Sequence, residues 1–206
     1  MSHQIGVSSE IGRLRTVLVH RPGIEIARIT PENRAALLFD DLLWLERAQE
    51  EHDRFVKILM SRGAQVLYFR DLLGQTLVDA DVRGRVVDVV VTPRACGLKV
   101  SERLRRELRD CSMEDLLNVL LGGVLTSELE KWGLDHHFAD VVSNRYDFVL
   151  PALPNLFFMR DNAAWIHDGV SLSVLATPAR SPESIYLRAI YRFHPRLRNA
   201  GFRFWY

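Results

Sequence analysis

The stretch LPNLFFMRD, at residues 153–161, is the part of the sequence on which the prediction of fold and function depends. Pro154 pushes the residue before it out of the helical region, so we expect the stretch to begin in an extended conformation. Three apolar side chains inside it, those of Leu156, Phe157 and Phe158, are expected to anchor it in a core. The polar residues between them would then be held at or near the interior.

Those polar residues are Asn155, Arg160 and Asp161. A polar group near the interior needs a partner, either in the fold or in a ligand. An amide, an aromatic face and a carboxylate this close together suit a planar cation such as a guanidinium, which matches a carboxylate in charge and geometry and stacks on aromatic rings. The alternative from spacing alone is a buried edge strand with an internal Arg160–Asp161 salt bridge or turn.

The stretch resembles the PNxxFxRD motif of the arginine deiminases, a family of guanidine-modifying enzymes. The resemblance spans most of the chain and is weakest between about residues 74 and 145. It continues on both sides of the motif, in the segments HRPG at 20–23, LFDDLLW at 38–44, AAWIHDGV at 163–170, PAR at 178–180 and IYRFHP at 190–195.

The resemblance implies hydrolysis of L-arginine to citrulline and ammonia, without a metal or an organic cofactor. In this chemistry a cysteine thiolate attacks the guanidinium carbon, a histidine moves protons, and two carboxylates grip the guanidinium nitrogens. Arginine side chains bind the α-carboxylate of the substrate. Covalent attack suits a resonance-stabilised guanidinium because it divides one difficult step into two easier ones.

Carried over to this sequence, the resemblance implies that Asp161 is one of the two carboxylates that grip the guanidinium. Asp161 is therefore the predicted catalytic residue. Asn155 and Phe158 would line the substrate pocket. Arg180, in the PAR turn, would bind the substrate carboxylate at a spacing from Asp161 that matches the two ends of arginine. Spacing alone would instead make Arg180 a surface turn residue, and Arg160 is interpreted as a structural residue.

The family's cysteine, histidine and second carboxylate pair belong to a second half that the resemblance does not cover. Cys96 and Cys111 both precede the motif and do not match the family's cysteine. We therefore consider an arginine deiminase whose second half lies outside this chain. The alternatives are a non-catalytic α/β module that binds a guanidino ligand or a protein, and a fragment of a dimethylarginine hydrolase or amidinotransferase.

The composition excludes several other classes of function. The 206 residues are 48% hydrophobic and 26% charged, and 27 basic against 26 acidic residues give a net charge of +1. That balance offers no electrostatic case for nucleic acid or an anionic membrane as a partner. The sequence has no run that could span a bilayer, no secretion signal and no disulfide framework, so we expect a cytoplasmic protein.

The histidines of the sequence do not indicate a catalytic or metal site. His20 follows the first strand, and the favoured interpretation is a strand-end histidine bonded to backbone rather than a catalytic group. His136 and His137 are adjacent, do not share a helix face, and are not accompanied by a CxxC pair. The sequence therefore predicts no metal site.

The resemblance and the patterning together predict an α/β fold, a partial five-bladed α/β propeller of about two units with an inserted helical subdomain. The predicted domains are 1–72, 73–146 and 147–206. In the first unit we expect strands at 14–19 and 65–69, with a helix between them that begins at Thr30-Pro31 and ends at Gly63, broken near Asp40-Asp41.

The insert is predicted to be helical although its VVDVVV run at 86–91 favours a strand. In the second unit, Asp168-Gly169 is the expected two-residue turn of a hairpin. A helix should follow from Ser181-Pro182 to about Phe193, and a strand at 201–206 should end the unit. Uncovered sheet edges would recruit a homo-oligomer or a partner chain that completes the propeller.

Overall fold

A computed structural model describes residues 5–134, 148–177 and 180–205. The first two strands, β1 (Thr16–Val19) and β2 (Gln65–Tyr68), pair in parallel with Val17 opposite Val66. The connection between them carries α1 (Ile24–Ala27) and α2 (Leu45–Ser61). The predicted strand, helix and strand of the first unit are thereby confirmed.

The predicted helix start at Thr30-Pro31 is wrong. Residues 31–38 form successive turns, and the backbone N–H of Thr30 donates to Oδ1 of Asn33 over 2.8 Å while that of Asn33 donates to Oγ1 of Thr30 over 3.3 Å. Leu38 then takes a positive φ of 66°, which a continuing helix does not allow. The capping pattern is therefore real, but it closes a turn, and α2 begins only at Leu45.

The described residues of the predicted insert, 73–134, are mostly helical, and the first of these helices begins before it, at Phe69. They form α3 (Phe69–Thr76), α4 (Ala80–Val90), α5 (Pro93–Cys96), α6 (Leu98–Asp110) and α7 (Met113–Gly122), followed by a 3-10 helix at Thr126–Trp132. The valine-rich run lies in α4, where Val82, Val86, Val87 and Val90 are buried. Burial of a helical stripe therefore outweighs the β-propensity of the valines.

The second half of the chain begins with β4 (Phe148–Leu150), which pairs antiparallel with β3 (Val124–Leu125). A hairpin follows, formed by β5 (Ala163–Ile166) and β6 (Gly169–Leu172). The chain then passes through α8 (Ser181–Phe193), as predicted, to β7 (Arg203–Phe204), which lies parallel to β6. The connection β6–α8–β7 is thus a second parallel β–α–β unit.

The turn of the hairpin lies one residue earlier than predicted. Ile166 pairs with Gly169, so the two turn residues are His167 and Asp168. His167 adopts the positive φ, 50°, that the turn requires. Gly169 is a strand residue instead. Glycine is needed at this position because a Cβ there would lie 2.4 Å from Nε1 of Trp205.

One hydrophobic core joins the helices to the second half of the chain. It includes the fully buried Phe69 in α3, Leu120 in α7 and Tyr186 in α8, and the hydroxyl of Tyr186 donates to the carbonyl of Leu120 over 3.0 Å. The architecture is therefore a mixed α/β fold of small sheets and many helices. The division into domains at 72/73 and 146/147 stays a prediction.

Among the described residues, no helix is both long enough and apolar enough to cross a membrane.

Candidate guanidinium–carboxylate site

The central motif is compact rather than extended. Residues Pro154–Phe157 and Met159–Asn162 form two 3-10 turns, and Leu153 and Phe158, which each precede one of them, have non-helical backbone angles. A 3-10 turn places successive side chains about 120° apart, so three neighbours cannot share one face. Leu156 is accordingly fully buried, as predicted, while Phe157 and Phe158 are 45% and 46% exposed and do not anchor the motif.

Arg180 lies immediately before α8 and connects the motif to that helix. Its Nε and Nη2 donate to the two carboxylate oxygens of Glu183 over 2.8 and 3.0 Å. Its Nη1 donates to Oδ2 of Asp161 over 2.9 Å, and Nη2 also reaches the backbone carbonyl of Asn155 at 3.3 Å. The residue is only 9% exposed, so the alternative of a surface turn residue is wrong.

The carboxylates on either side of this guanidinium differ in their exposure. The side chain of Glu183 is fully buried, whereas that of Asp161 is 47% exposed. Hydrogen bonding to Glu183, and secondarily to Asp161, holds the pKa of Arg180 above its ordinary value against the effect of burial. Arg180 is therefore a permanent cation that pairs with one buried carboxylate, Glu183, and one half-exposed carboxylate, Asp161.

The structure brings Asp161 and Arg180 into direct contact. The predicted spacing between Asp161 and Arg180, matched to the two ends of an arginine molecule, therefore differs from the direct contact in the structure. The half-exposed carboxylate of Asp161 lies where solvent or a small cation can reach it. Its role as a gripping group stays a prediction.

Asn155 has a structural task in this arrangement. It is buried, and its side-chain Nδ2 donates to the carbonyl of Leu37 over 2.7 Å. This bond fastens the motif to the turn that ends in the positive-φ residue Leu38. Only part of its amide is therefore free to meet a ligand, and its place in a substrate pocket stays a prediction.

Phe158 presents its ring beside the site. Its ring meets that of Phe157 edge to face at 5.4 Å, and Phe157 in turn lies 6.4 Å from the ring of His52. Because Phe158 is nearly half exposed, one aromatic surface remains open to a flat cationic ligand. Its assignment to the pocket also stays a prediction.

Arg160 points away from the site. Its guanidinium pairs with Glu10 over 3.1 Å, and the two side chains are 79% and 64% exposed. The alternative of an internal Arg160–Asp161 salt bridge is therefore wrong, because Asp161 pairs with Arg180. An exposed pair of this kind contributes at most about 1 kcal/mol.

Two polar residues of the site were missed in the sequence. Glu183 follows Arg180 by three residues, a visible pairing signal, but charged pairs at helix starts are commonly solvated. Asn162 directly follows the motif and is fully buried, and its side chain lies against the carboxylate of Glu183.

Neither cysteine resembles an activated nucleophile. Burial raises the pKa of Cys96 to about 11 and also raises that of Cys111, so both thiols are protonated at neutral pH. His20 is buried and pairs with Glu25 over 2.9 Å, rather than with backbone as expected. No cluster of three or more metal-ligating side chains occurs within the described residues, and His136 and His137 lie outside them.

Fold and site together define an α/β protein in which an arginine is held between a buried and a half-exposed carboxylate. The family model for arginine deiminase matches residues 35–206. The chain therefore belongs to the arginine deiminase family.

Curated relatives agree with this assignment. The arginine deiminase of Rhodococcus opacus (strain B4) is 41% identical over 200 residues, which is 97% of this chain and 49% of the relative. The arginine deiminase of Bacillus cereus (strain ATCC 10987 / NRS 248) is 37% identical over 206 residues, which is 100% of this chain and 50% of the relative. The chain spans about half the length of the curated relatives it matches.

Proposed function

We propose that this chain supplies one half of a centre that hydrolyses L-arginine to L-citrulline and ammonia. Family membership supports the reaction, and the Asp161–Arg180 pair supports the assignment of the site. A substrate with a guanidinium at one end and a carboxylate at the other can replace both members of that pair. No step in the proposal uses a metal or an organic cofactor.

Binding exchanges one ion pair for two. The substrate guanidinium takes the place of Arg180 at the carboxylate of Asp161 and stacks on Phe158, while the substrate α-carboxylate takes the place of Asp161 at Nη1 of Arg180. The side chain of Asp161, being half exposed, turns to make room. Fixing the guanidinium in this way orients its carbon for attack, which is a source of rate through proximity.

The nucleophile of the reaction comes from outside the described part of this chain. Cys96 and Cys111 have raised thiol pKa values, and both belong to the helical region rather than to the motif. With one gripping carboxylate and no thiolate beside it, the chain alone binds arginine weakly and does not turn it over. Solvent-exposed ion pairs contribute about 0–1 kcal/mol each, so we expect a dissociation constant on the order of millimolar or weaker.

The two parallel β–α–β units are proposed to be two units of a five-bladed α/β propeller, with the helices between them as an insert. Exposed apolar side chains support a surface that a partner would cover: Trp44 is 70% exposed, and Phe157 and Phe158 in the motif are nearly half exposed. Such a surface marks an interface. The remaining propeller units, in a partner chain or a second copy, would cover this surface. A monodisperse monomer in light scattering would contradict such an association.

The proposal is tested by arginine affinity and citrulline release with the purified chain. We expect weak, salt-sensitive binding that is lost in Asp161→Asn, and no citrulline. Asp168→Asn is the matched control, because Asp168 is a partly buried carboxylate in the turn of the hairpin that follows, and it pairs with Arg203 instead. Equal affinity in Asp161→Asn and Asp168→Asn, or citrulline release by the chain alone, would contradict the proposal.

A further inference from the structure

Glu183 lies outside the motif at residues 153–161, yet it accepts more hydrogen bonds from Arg180 than either Asp161 or Asn155 does. It is fully buried in the first turn of α8, and both of its carboxylate oxygens accept hydrogen bonds from Arg180. Two parallel bonds between a guanidinium and a carboxylate fix the plane of the guanidinium as well as its position. Arg180 is therefore held from the protein side, independently of Asp161.

The hydrogen-bond inventory of Arg180 shows which edge remains for a ligand. A guanidinium has five N–H groups in a rigid fork. Glu183 accepts from Nε and from Nη2, and the carbonyl of Asn155 accepts from Nη2 as well. Only Nη1 points outward, toward the half-exposed carboxylate of Asp161.

We propose that Glu183 is a positioning residue, which holds Arg180 so that its Nη1 edge alone faces the ligand and selects compounds with an α-carboxylate. The inference rests on the proposed function, since it assigns the substrate carboxylate to Arg180. Glu183 touches no ligand and acts through Arg180. Without Glu183, the side chain of Arg180 can move together with that of Asp161. The two binding groups then stay paired with each other instead of separating to bind the substrate.

Two substitutions distinguish the effect of the charge of Glu183 from that of the length of its side chain. Glu183→Gln keeps the length of the side chain but removes its charge and puts an NH2 group against the N–H groups of Arg180. Glu183→Asp keeps the charge on a side chain one methylene shorter. If Glu183 positions Arg180, Glu183→Asp keeps part of the fixed position of the Arg180 guanidinium that Glu183→Gln loses.

The first readout does not depend on any ligand. In NMR spectra of the ¹⁵N-labelled chain, we expect the Nε–H of Arg180 to be protected from solvent exchange. The signal should stay protected in Asp161→Asn, weaken in Glu183→Asp and vanish in Glu183→Gln, with backbone spectra confirming that each variant is folded. A protected signal in folded Glu183→Gln would overturn the inference. If Glu183→Gln does not fold, a signal in Glu183→Asp as protected as in the natural chain would overturn it.

The second readout compares L-arginine with agmatine, which has the same guanidinium but no carboxylate. We expect the natural chain to prefer arginine by up to about fivefold. In Glu183→Gln the preference should fall toward one, whereas a general loss of structure would weaken both ligands by the same factor and leave the ratio of their affinities unchanged. An unchanged preference would overturn the inference. If the natural chain binds neither ligand while the Nε–H signal behaves as expected, the proposed function fails and the positioning of Arg180 stands.

Discussion

Oδ2 of Asp161 accepts a hydrogen bond from Nη1 of Arg180 over 2.9 Å, so the two proposed binding groups contact each other directly. The pair is asymmetric, because Arg180 is fixed from behind by buried Glu183 while Asp161 is half exposed. Asp161 is therefore the member that can move. A zwitterionic substrate can replace both partners at once, which neither a simple cation nor a simple anion can do.

The same asymmetry predicts unequal effects on stability. Asp161→Asn removes the charge of a half-exposed partner, and we expect the free energy of unfolding to change by less than about 1 kcal/mol. Arg180→Gln leaves Glu183 as a buried, unpaired carboxylate, and we expect a loss of about 3–5 kcal/mol. Urea denaturation of the two variants measures both values. Similar losses in both would show that Glu183 does not depend on Arg180.

A second prediction concerns the contact between α7 and α8. The hydroxyl of Tyr186 is buried and donates to the carbonyl of Leu120, so Tyr186→Phe leaves that carbonyl without its partner. We expect a loss of about 1–3 kcal/mol in the free energy of unfolding. Tyr191→Phe is the control, because the hydroxyl of Tyr191 accepts only a longer, 3.3 Å bond from Trp165. A loss in Tyr191→Phe equal to or larger than that in Tyr186→Phe would contradict the account of this interface.

A third prediction concerns pH. Nδ1 of His194 accepts the backbone N–H of Arg196 over 3.1 Å, and Nε2 lies 2.8 Å from Oε1 of Gln75, so the bonded imidazole is neutral. Burial, and then the charge of Arg196, lower the pKa of His194 below its ordinary 6.5. In the window below that value the unfolded chain binds a proton that the folded chain does not. The stabilisation is therefore fully present above about pH 6.5 and is lost as the pH falls.

The variant His194→Asn removes this titration while keeping a side-chain acceptor near the N–H of Arg196. We expect the free energy of unfolding to fall less steeply between pH 6.5 and 5 in the variant than in the natural chain. Burial also lowers the pKa of His52, so part of the slope should remain. Identical slopes, measured by urea denaturation across this range, would show that His194 does not contribute.

The sequence predicted most elements because their signals are local. The helix from Ser181 to Phe193 carries a proline in its first turn, and the strands are short apolar runs. The helix start predicted at Thr30-Pro31 failed because a turn and a helix start satisfy the same backbone groups, and only the following residues decide between them. The helix at Ala80–Val90 was predicted against its valines through the family resemblance, not from local propensity.

The sequence predicted two residues that the structure brings together, but it did not predict their geometry. The resemblance pointed to Asp161 and Arg180, and the structure brings them together. It could not show that Glu183 is buried, since this depends on the motif packing over the start of α8. The exposure of Phe157 also follows from two tight turns that the sequence alone did not reveal.

The most direct test of the central claim is an NMR titration of the ¹⁵N-labelled chain with L-arginine. If Asp161 and Arg180 form half of an arginine site, the shifts should be concentrated at Phe158, Asp161 and Arg180, saturate only at millimolar concentrations, and shrink with added salt. Shifts confined to the helices between residues 74 and 132, with none at the motif, would contradict it.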